Sequence, residues 1–302
     1  MIRDPGSLTS ALIVDLLFGE PDTAWHPVTA MGAWTTRVRR HRPDAAPSEA
    51  LTHGTLGVLG GVALAWTAGW MLDAFARSLP RAAQALARGM ALKPTFAVRA
   101  LFRAVRGVET ALRNDDTETA RVRLSRDLVS RDTSELNAHQ IADAAIASLA
   151  ENLSDSVIAP WFAARLGGLP AAYAYRFINT ADAMLGYRTP ELEWLGKPAA
   201  RLDDLVNLVP ARLTALLLVA CAPAGAGSSA RAASVMWRDH ARTPSPNGGW
   251  PMAAMAGALD CRIAKVGVYT LNDGAYLPTA NDIRRARRIA RAAVTAGAAI
   301  LA

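Results

Sequence analysis

Nineteen consecutive residues, Gly54 to Leu72, carry no charged side chain. As a helix this run is about 28 Å long, close to the roughly 30 Å of a bilayer's hydrocarbon core. It either crosses a membrane or forms the buried core helix of a soluble protein. A second uncharged run, Leu213 to Ala230, is broken by Pro223 and the Gly225/Gly227 pair, so its apolar helix is expected to begin near Leu205 and to include Arg212. Weaker runs are Leu8 to Phe18, which contains Asp15, and Val157 to Tyr175, which contains Arg165 and a Gly167-Gly168-Leu169-Pro170 break. Gly19-Glu20-Pro21-Asp22 follows the first of these where an export signal needs small residues, which predicts a retained helix.

The chain has 302 residues, 51% of them hydrophobic and 20% charged, and its mean hydropathy of +0.13 allows either environment. Strand-like alternation is absent over any useful length. The expected fold is therefore all-α: a polytopic integral membrane helical bundle with surface amphipathic helices, forming one membrane-embedded domain over residues 1–302. The charged segment at about 77–132 is expected at the surface. Within it, Val98, Leu101, Phe102, Val105, Val108 and Leu112 recur at helical spacing with arginines opposite. Thr117 is expected to cap the following helix, and Thr133 or Ser134 a later one.

The formal charge of +7 comes from 33 basic residues, of which only Lys93, Lys197 and Lys265 are lysines. Aromatic residues do not interleave with the basic runs, which argues against nucleic acid as a partner. Acidic lipid headgroups or a phosphorylated substrate suit the charge better. Cys221 and Cys261 lack metal-ligand spacing and are expected to be inert thiols.

Between Ser130 and Trp250, polar cassettes interrupt the apolar stretches. Carboxylates, amides and guanidinium groups are costly to bury beside lipid-length runs, so they are expected to converge on a cavity, a substrate or each other. In A-E-N-L-S-D-S, Glu151 and Asp155 are four apart and share a helix face, with Asn152 beside them; this is either a solvated acidic face or a cation site. In A-R-L-D-D-L-V-N-L-V-P-A-R, Asp203 and Asn207 share a face, Asp204 turns away, and Arg201 and Arg212 bracket the segment. That set suits a metal-bound phosphate or, alternatively, a capped helix entry. In F-I-N-T-A-D-A-M-L-G-Y, which ends at Tyr187, Asn179 and Asp182 are three apart and can jointly hydrogen-bond a ligand or another helix. Arg131-Asp132-Thr133 and the proline-stiffened loop holding Ser245, Asn247 and Trp250 are binding elements or a cap and a connector. His26 is a structural histidine or an acid-base group.

These cassettes, with G-E-P-D-T-A-W-H-P-V-T-A-M-G and P-S-P-N-G-G-W-P-M-A-A-M-A-G-A-L, closely resemble the adenosylcobinamide-phosphate synthase family (CobD/CbiB) of cobalamin assembly, from Leu12 to about Arg288. The resemblance implies a multi-pass protein of the cell inner membrane whose active site faces the cytoplasm. It implies an amide ligase joining the free propionate of adenosylcobyric acid to aminopropanol phosphate or a related amino-alcohol. Other late cobalamin enzymes are implied as partners. The family commonly has Asp where this chain has Glu20, and Glu where it has Met252.

Joining a carboxylate to an amine in water is uphill, so ATP is expected to activate the oxygen, with magnesium as its counter-ion. Asp132, Glu151, Asp155, Asp203 and Asp204 are the expected catalytic carboxylates, and Glu151, Asp155, Asp203 and Asp204 the expected metal ligands. Arg131, Arg201 and Arg212 would neutralise phosphate oxygens, and Asp182 or His26 would deprotonate the amine. Asn152, Asn179, Tyr187, Asn207, Ser245, Asn247 and Trp250 complete the expected contacts with the corrinoid and phosphate. Trp25, Trp161 and Trp194 join Trp250 as candidates for corrin contact or for an interfacial belt. A corrinoid carrier and a membrane scaffold for late corrin enzymes are the competing functions.

Overall fold

The computed structural model describes residues 5–20, 26–42 and 46–302, so Trp25 lies outside the described residues. The helices in chain order are α1 (Pro5–Phe18), α2 (Pro27–Arg40), α3 (Pro47–Ser78), α4 (Arg81–Leu92), α5 (Val98–Arg113), α6 (Thr117–Asp127), α7 (Ala138–Leu153), α8 (Ala159–Leu185), α9 (Lys197–Val206), α10 (Leu208–Cys221), α11 (Ser229–Asp239), α12 (Gly249–Leu259) and α13 (Ala280–Leu301). A short antiparallel hairpin of β1 (Ile263–Lys265) and β2 (Tyr269–Leu271) is the sole sheet among the described residues. The all-α expectation holds but for that hairpin. The chain packs as two compact units: residues 1–97, 159–207 and 301–302 form one, and residues 98–158 and 208–300 the other.

The first unit is built on α3 packed against α8. Pro47 opens α3, Glu49 lies in its first turn and Arg77 in its last, as the helix dipole favours. Gly54, Gly61, Ala65 and Gly69 recur on its buried side. A methyl group at Gly54 would strike the Leu195 carbonyl, one at Gly61 the Phe177 ring, and one at Gly69 the backbone of Leu169 and Pro170. The last contact falls at the break in α8, where Gly168 adopts φ 71° and Pro170 lacks an amide hydrogen, as the sequence predicted. Gly61→Leu is expected to destabilise the protein by about 1–3 kcal/mol, the usual cost of overpacking. Leu59→Ala, on the exposed face, should change the melting temperature little.

Two helical stretches, α3 and residues 208–225, are long and apolar enough to cross a membrane. Only 22% of the apolar window of α3 is buried within the protein. Leu56, Leu59, Leu64, Trp70, Met71 and Phe75 all point outward from it. A soluble core helix hides that face.

Asp15 interrupts the apolar α1 because it has a partner distant in sequence: Lys93 Nζ lies 3.0 Å from it and 2.6 Å from Glu20. Lys93 is itself buried. Part of the charged segment expected at the surface is therefore packed inside, because one lysine offsets two carboxylates. Trp161, a candidate for corrin contact, is instead a core residue packed edge-on against Phe96, with ring centres 5.4 Å apart.

In the second unit α12 packs against α7, α10 and α11, and α5 against α6 and α7. As the spacing predicted, α5 buries Leu101, Val105, Val108 and Leu112. Two caps differ from expectation. Asp116, not Thr117, caps α6 by accepting the Thr119 amide, because a carboxylate one residue earlier is the stronger acceptor. Asn137 caps α7 in a reciprocal box with Gln140. Thr133 instead donates to the Arg121 carbonyl, and Ser134 bonds Asp132. After α7 the helix widens into a π turn over Ser154–Ile158, so regular α spacing does not extend from Glu151 through Asp155.

Candidate active site

The closing turns of α8 and the helix α9 with its cap bring Asn179, Asp182, Arg201, Asp203, Asp204 and Asn207, six of the expected residues, together in the first unit. Asn207, buried at the end of α9, donates from Nδ2 to Asp203 Oδ2 at 3.0 Å, the four-residue pairing expected on one helix face. Tyr175 of α8 donates to Asn207 Oδ1 at 2.9 Å and fixes the amide's orientation. Burial pushes the Asp203 carboxyl up to about 7; the nearby Asp182 charge adds to this, and hydrogen bonds from Asn207 and Asn179 oppose it. Asp203 Oδ1 is buried and has no hydrogen-bond partner. Burial, helped by the Asp204 charge, pushes Asp182 up to about 6. Asp204 is raised by burial and held back by Arg201 and Arg188. These three neighbouring acids resist ionising together, so protons leave the cluster in coupled steps.

Beside these acids, a cavity of about 220 Å³ is lined by Gly186, Tyr187, Arg188, Gly196, Lys197, Arg201 and Asp204, among others. The start of α9 opens on it, and its cap residue Gly196 offers no side chain to the first amides. Arg188, Lys197 and Arg201 face Glu193 and Asp204 in the lining, with Lys197 Nζ 4.0 Å from Glu193, and the net positive charge and the helix N-terminus favour a phosphate-sized anion. Both glycines are obligatory: a methyl at Gly196 would strike the Leu185 carbonyl, and one at Gly186 the Asp182 carboxylate.

Arg188, Lys197, Gly186 and Gly196 were missed by sequence reasoning. Arg188 and Lys197 flank the cassettes, and only the turn between α8 and α9 brings them to Arg201. Lys197 also lies over the Trp194 ring at 4.0 Å, which occupies that indole.

The second unit gathers another part of the expected set. Arg212 Nη1 donates to Asn247 Oδ1 at 3.2 Å and to the Leu208 carbonyl at 2.7 Å, and its guanidinium lies 4.7 Å above the Trp250 ring. Trp250 also stacks on His240, with centres 3.9 Å apart. Ser245 Oγ accepts the amides of Asn247 and Gly248, so its hydroxyl shapes the entry to α12. Gly248 lies close enough to Glu151 that a methyl there would come within 2.9 Å of Oε1. Burial raises Tyr269, with the Glu151 charge adding and Arg131 opposing, so those three groups are neighbours. Asn152 donates within its own helix, to the Ser148 carbonyl at 3.0 Å. Met252 is buried, and its sulfur accepts from Tyr269 at 3.5 Å. Asp155 is half-buried in the π turn.

Two expected residues have visible structural duties. Asp132 is exposed and accepts from both the amide and the hydroxyl of Ser134 at 2.9 and 3.0 Å. His26 caps α2, accepting the Val28 amide at Nδ1, and its Nε2 lies 3.0 Å from Glu20. With both ring nitrogens engaged, His26→Asn is expected to retain folding and activity while His26→Ala loses about 1 kcal/mol of stability, as a thermal melt would read. A collapse of turnover in the folded asparagine variant would restore the histidine as a proton carrier.

The family described as CobD/Cbib protein matches residues 8–296. The chain belongs to the CobD/CbiB family. Among its CobD relatives, the cobalamin biosynthesis protein CobD of Mycobacterium tuberculosis (strain H37Rv) is 41% identical over 99% of this chain and 95% of its own length. That of Dehalococcoides mccartyi is 39% identical over 87% and 85%. The probable cobalamin biosynthesis protein CobD of Methanocaldococcus jannaschii is 34% identical over 90% and 89%. No solved structure matches the chain. In this CobD/CbiB chain the acid cluster and the basic cavity share Asp204, so a carboxylate-rich face and an anion pocket are continuous.

Proposed function

We propose that this CobD/CbiB protein is a multi-pass inner-membrane amide ligase of late cobalamin biosynthesis, facing the cytoplasm. It joins the free propionate of adenosylcobyric acid to aminopropanol phosphate or a related amino-alcohol, and other late cobalamin enzymes are its neighbours. The observation that carries the reading is the junction of buried acids with a basic cavity at Asp204. At about 220 Å³ the cavity suits a small phosphorylated amine and is too small for a corrin ring.

In this scheme Arg188, Lys197 and Arg201 hold the phosphate of the amine, and the start of α9 adds its amides. A propionate oxygen attacks the γ-phosphorus of ATP and ADP leaves, giving an acyl phosphate. The amine attacks the acyl carbon, and inorganic phosphate departs with the former carboxylate oxygen. Asp182, pushed up to about 6 by burial, accepts the ammonium proton that must leave first. It is better suited than His26, whose nitrogens are engaged.

Among the described residues no three His, Cys, Asp or Glu side chains form a metal cage. Magnesium needs none, since it takes one or two carboxylates and completes its shell with phosphate oxygens and water. The unbonded Asp203 Oδ1 beside Asp204 fits that demand. The ion, when bound, would screen phosphate charge. Purified protein in lipid should make the amide only when adenosylcobyric acid, aminopropanol phosphate, ATP and magnesium are all present. A scaffold or a carrier makes none.

A further inference from the structure

A second basic cavity, sharing no residue with the first, opens in the other unit. It measures about 370 Å³ and is lined by Arg106, Thr110 and Arg113 of α5 and by Arg284, Arg288 and Arg291 of α13, over a floor of Glu109 and Arg287. Glu109 and Arg287 are buried and ion-paired. Arg113 lies 3.8 Å from the same carboxylate. Six guanidinium groups therefore face one carboxylate, an excess of five positive charges. Arg291 spreads over the Phe102 ring at 5.6 Å, which holds one wall in place. A solvated arginine face has no reason to be concave or to sink a cation. Here Arg287 is only 8% exposed, and its Nε is buried without a hydrogen-bond partner. A buried arginine floor beneath five further guanidinium groups leaves a charge imbalance that a polyanion in the cavity would offset.

We propose that this basin binds a ligand carrying two or more adjacent phosphate groups, gripped by Arg106, Arg113, Arg284, Arg288 and Arg291 above the Glu109–Arg287 floor. That chemistry is offered by soluble di- and triphosphates and by the paired phosphates of a diphosphatidylglycerol headgroup. It stands independently of the ligase reading, since neither the acid cluster nor the first cavity contributes to it. The floor pair keeps one carboxylate below the ligand, so a single phosphate gains less there than a group spanning the rim.

The test uses the full chain in detergent and reads binding rather than turnover. Thermal unfolding is followed with pyrophosphate, with short-chain diphosphatidylglycerol and with short-chain phosphatidylcholine. Pyrophosphate or diphosphatidylglycerol should raise the melting temperature and phosphatidylcholine should not; the active anion identifies the source. Arg106→Gln with Arg288→Gln, both exposed on the rim, should fold normally and weaken binding about a hundredfold, since each guanidinium removed takes away one charge-assisted hydrogen bond to phosphate, at roughly tenfold apiece. Arg103→Gln, exposed on α5 outside the basin, should bind as the parent does. No shift with either anion, or a shift unchanged in the rim variant, overturns the proposal.

Discussion

Asp203→Asn is expected to lower amide formation by about a hundredfold or more while leaving the helices intact. The change keeps the side chain's size but removes an acid that burial holds at about 7, and with it the charge a carboxylate would offer to a cation. The same substitution carries a signature in stability. In the unfolded chain an aspartate titrates near 3.9, far below the folded value. The fold therefore favours the protonated acid: its contribution is full below about pH 4 and is lost as pH rises through 7. Ligand-free Asp203→Asn protein should accordingly melt about 4 °C or more above the parent at pH 8, with the difference vanishing by pH 4. Calorimetry at the two pH values reads this directly. Full activity in the asparagine variant removes Asp203 from the reaction, and a variant less stable than the parent at pH 8 contradicts the raised titration.

Arg201→Ala is expected to raise KM for aminopropanol phosphate about thirtyfold, the value of one charge-assisted contact to phosphate. The unphosphorylated amino-alcohol, a poorer substrate from the outset, should be affected little, because the group that Arg201 holds is missing from it. Arg201→Lys should recover part of the loss, since it restores charge without the planar fork. Arg201 also holds Asp204 down, so the alanine variant should shift the acidic limb of the pH–rate profile upward. Equal losses with both amines would show that Arg201 supports the fold and does not select the phosphate.

What the sequence made legible follows from local chemistry. The i,i+4 reading of Asp203 and Asn207 became a hydrogen bond because α9 is regular through that turn. The break at Gly168 and Pro170 was visible because both residues forbid ordinary helix. The link of Arg212 to Asn247 and Trp250 joins residues about 35 positions apart, and only their cassettes hinted at it. By contrast, Lys93 was read as part of a surface segment, since a single-residue signal cannot reveal that Asp15 and Glu20 wait for it some 75 residues earlier. Arg188 and Lys197 look like ordinary loop charges until the turn between α8 and α9 aligns them with Arg201. Asp132 and Ser245 carry local cap and turn hydrogen bonds that the sequence alone could not separate from catalysis, because both duties use the same residue types.

The most direct measurement traces oxygen from the acid to its product. Adenosylcobyric acid labelled with ¹⁸O in its free propionate is turned over by the purified chain with aminopropanol phosphate, ATP and magnesium, and the inorganic phosphate is examined by mass spectrometry. One labelled oxygen should appear in phosphate for each amide formed, with ADP as the other product. Amide formed at full rate without nucleotide, or phosphate that carries no label, contradicts activation through an acyl phosphate.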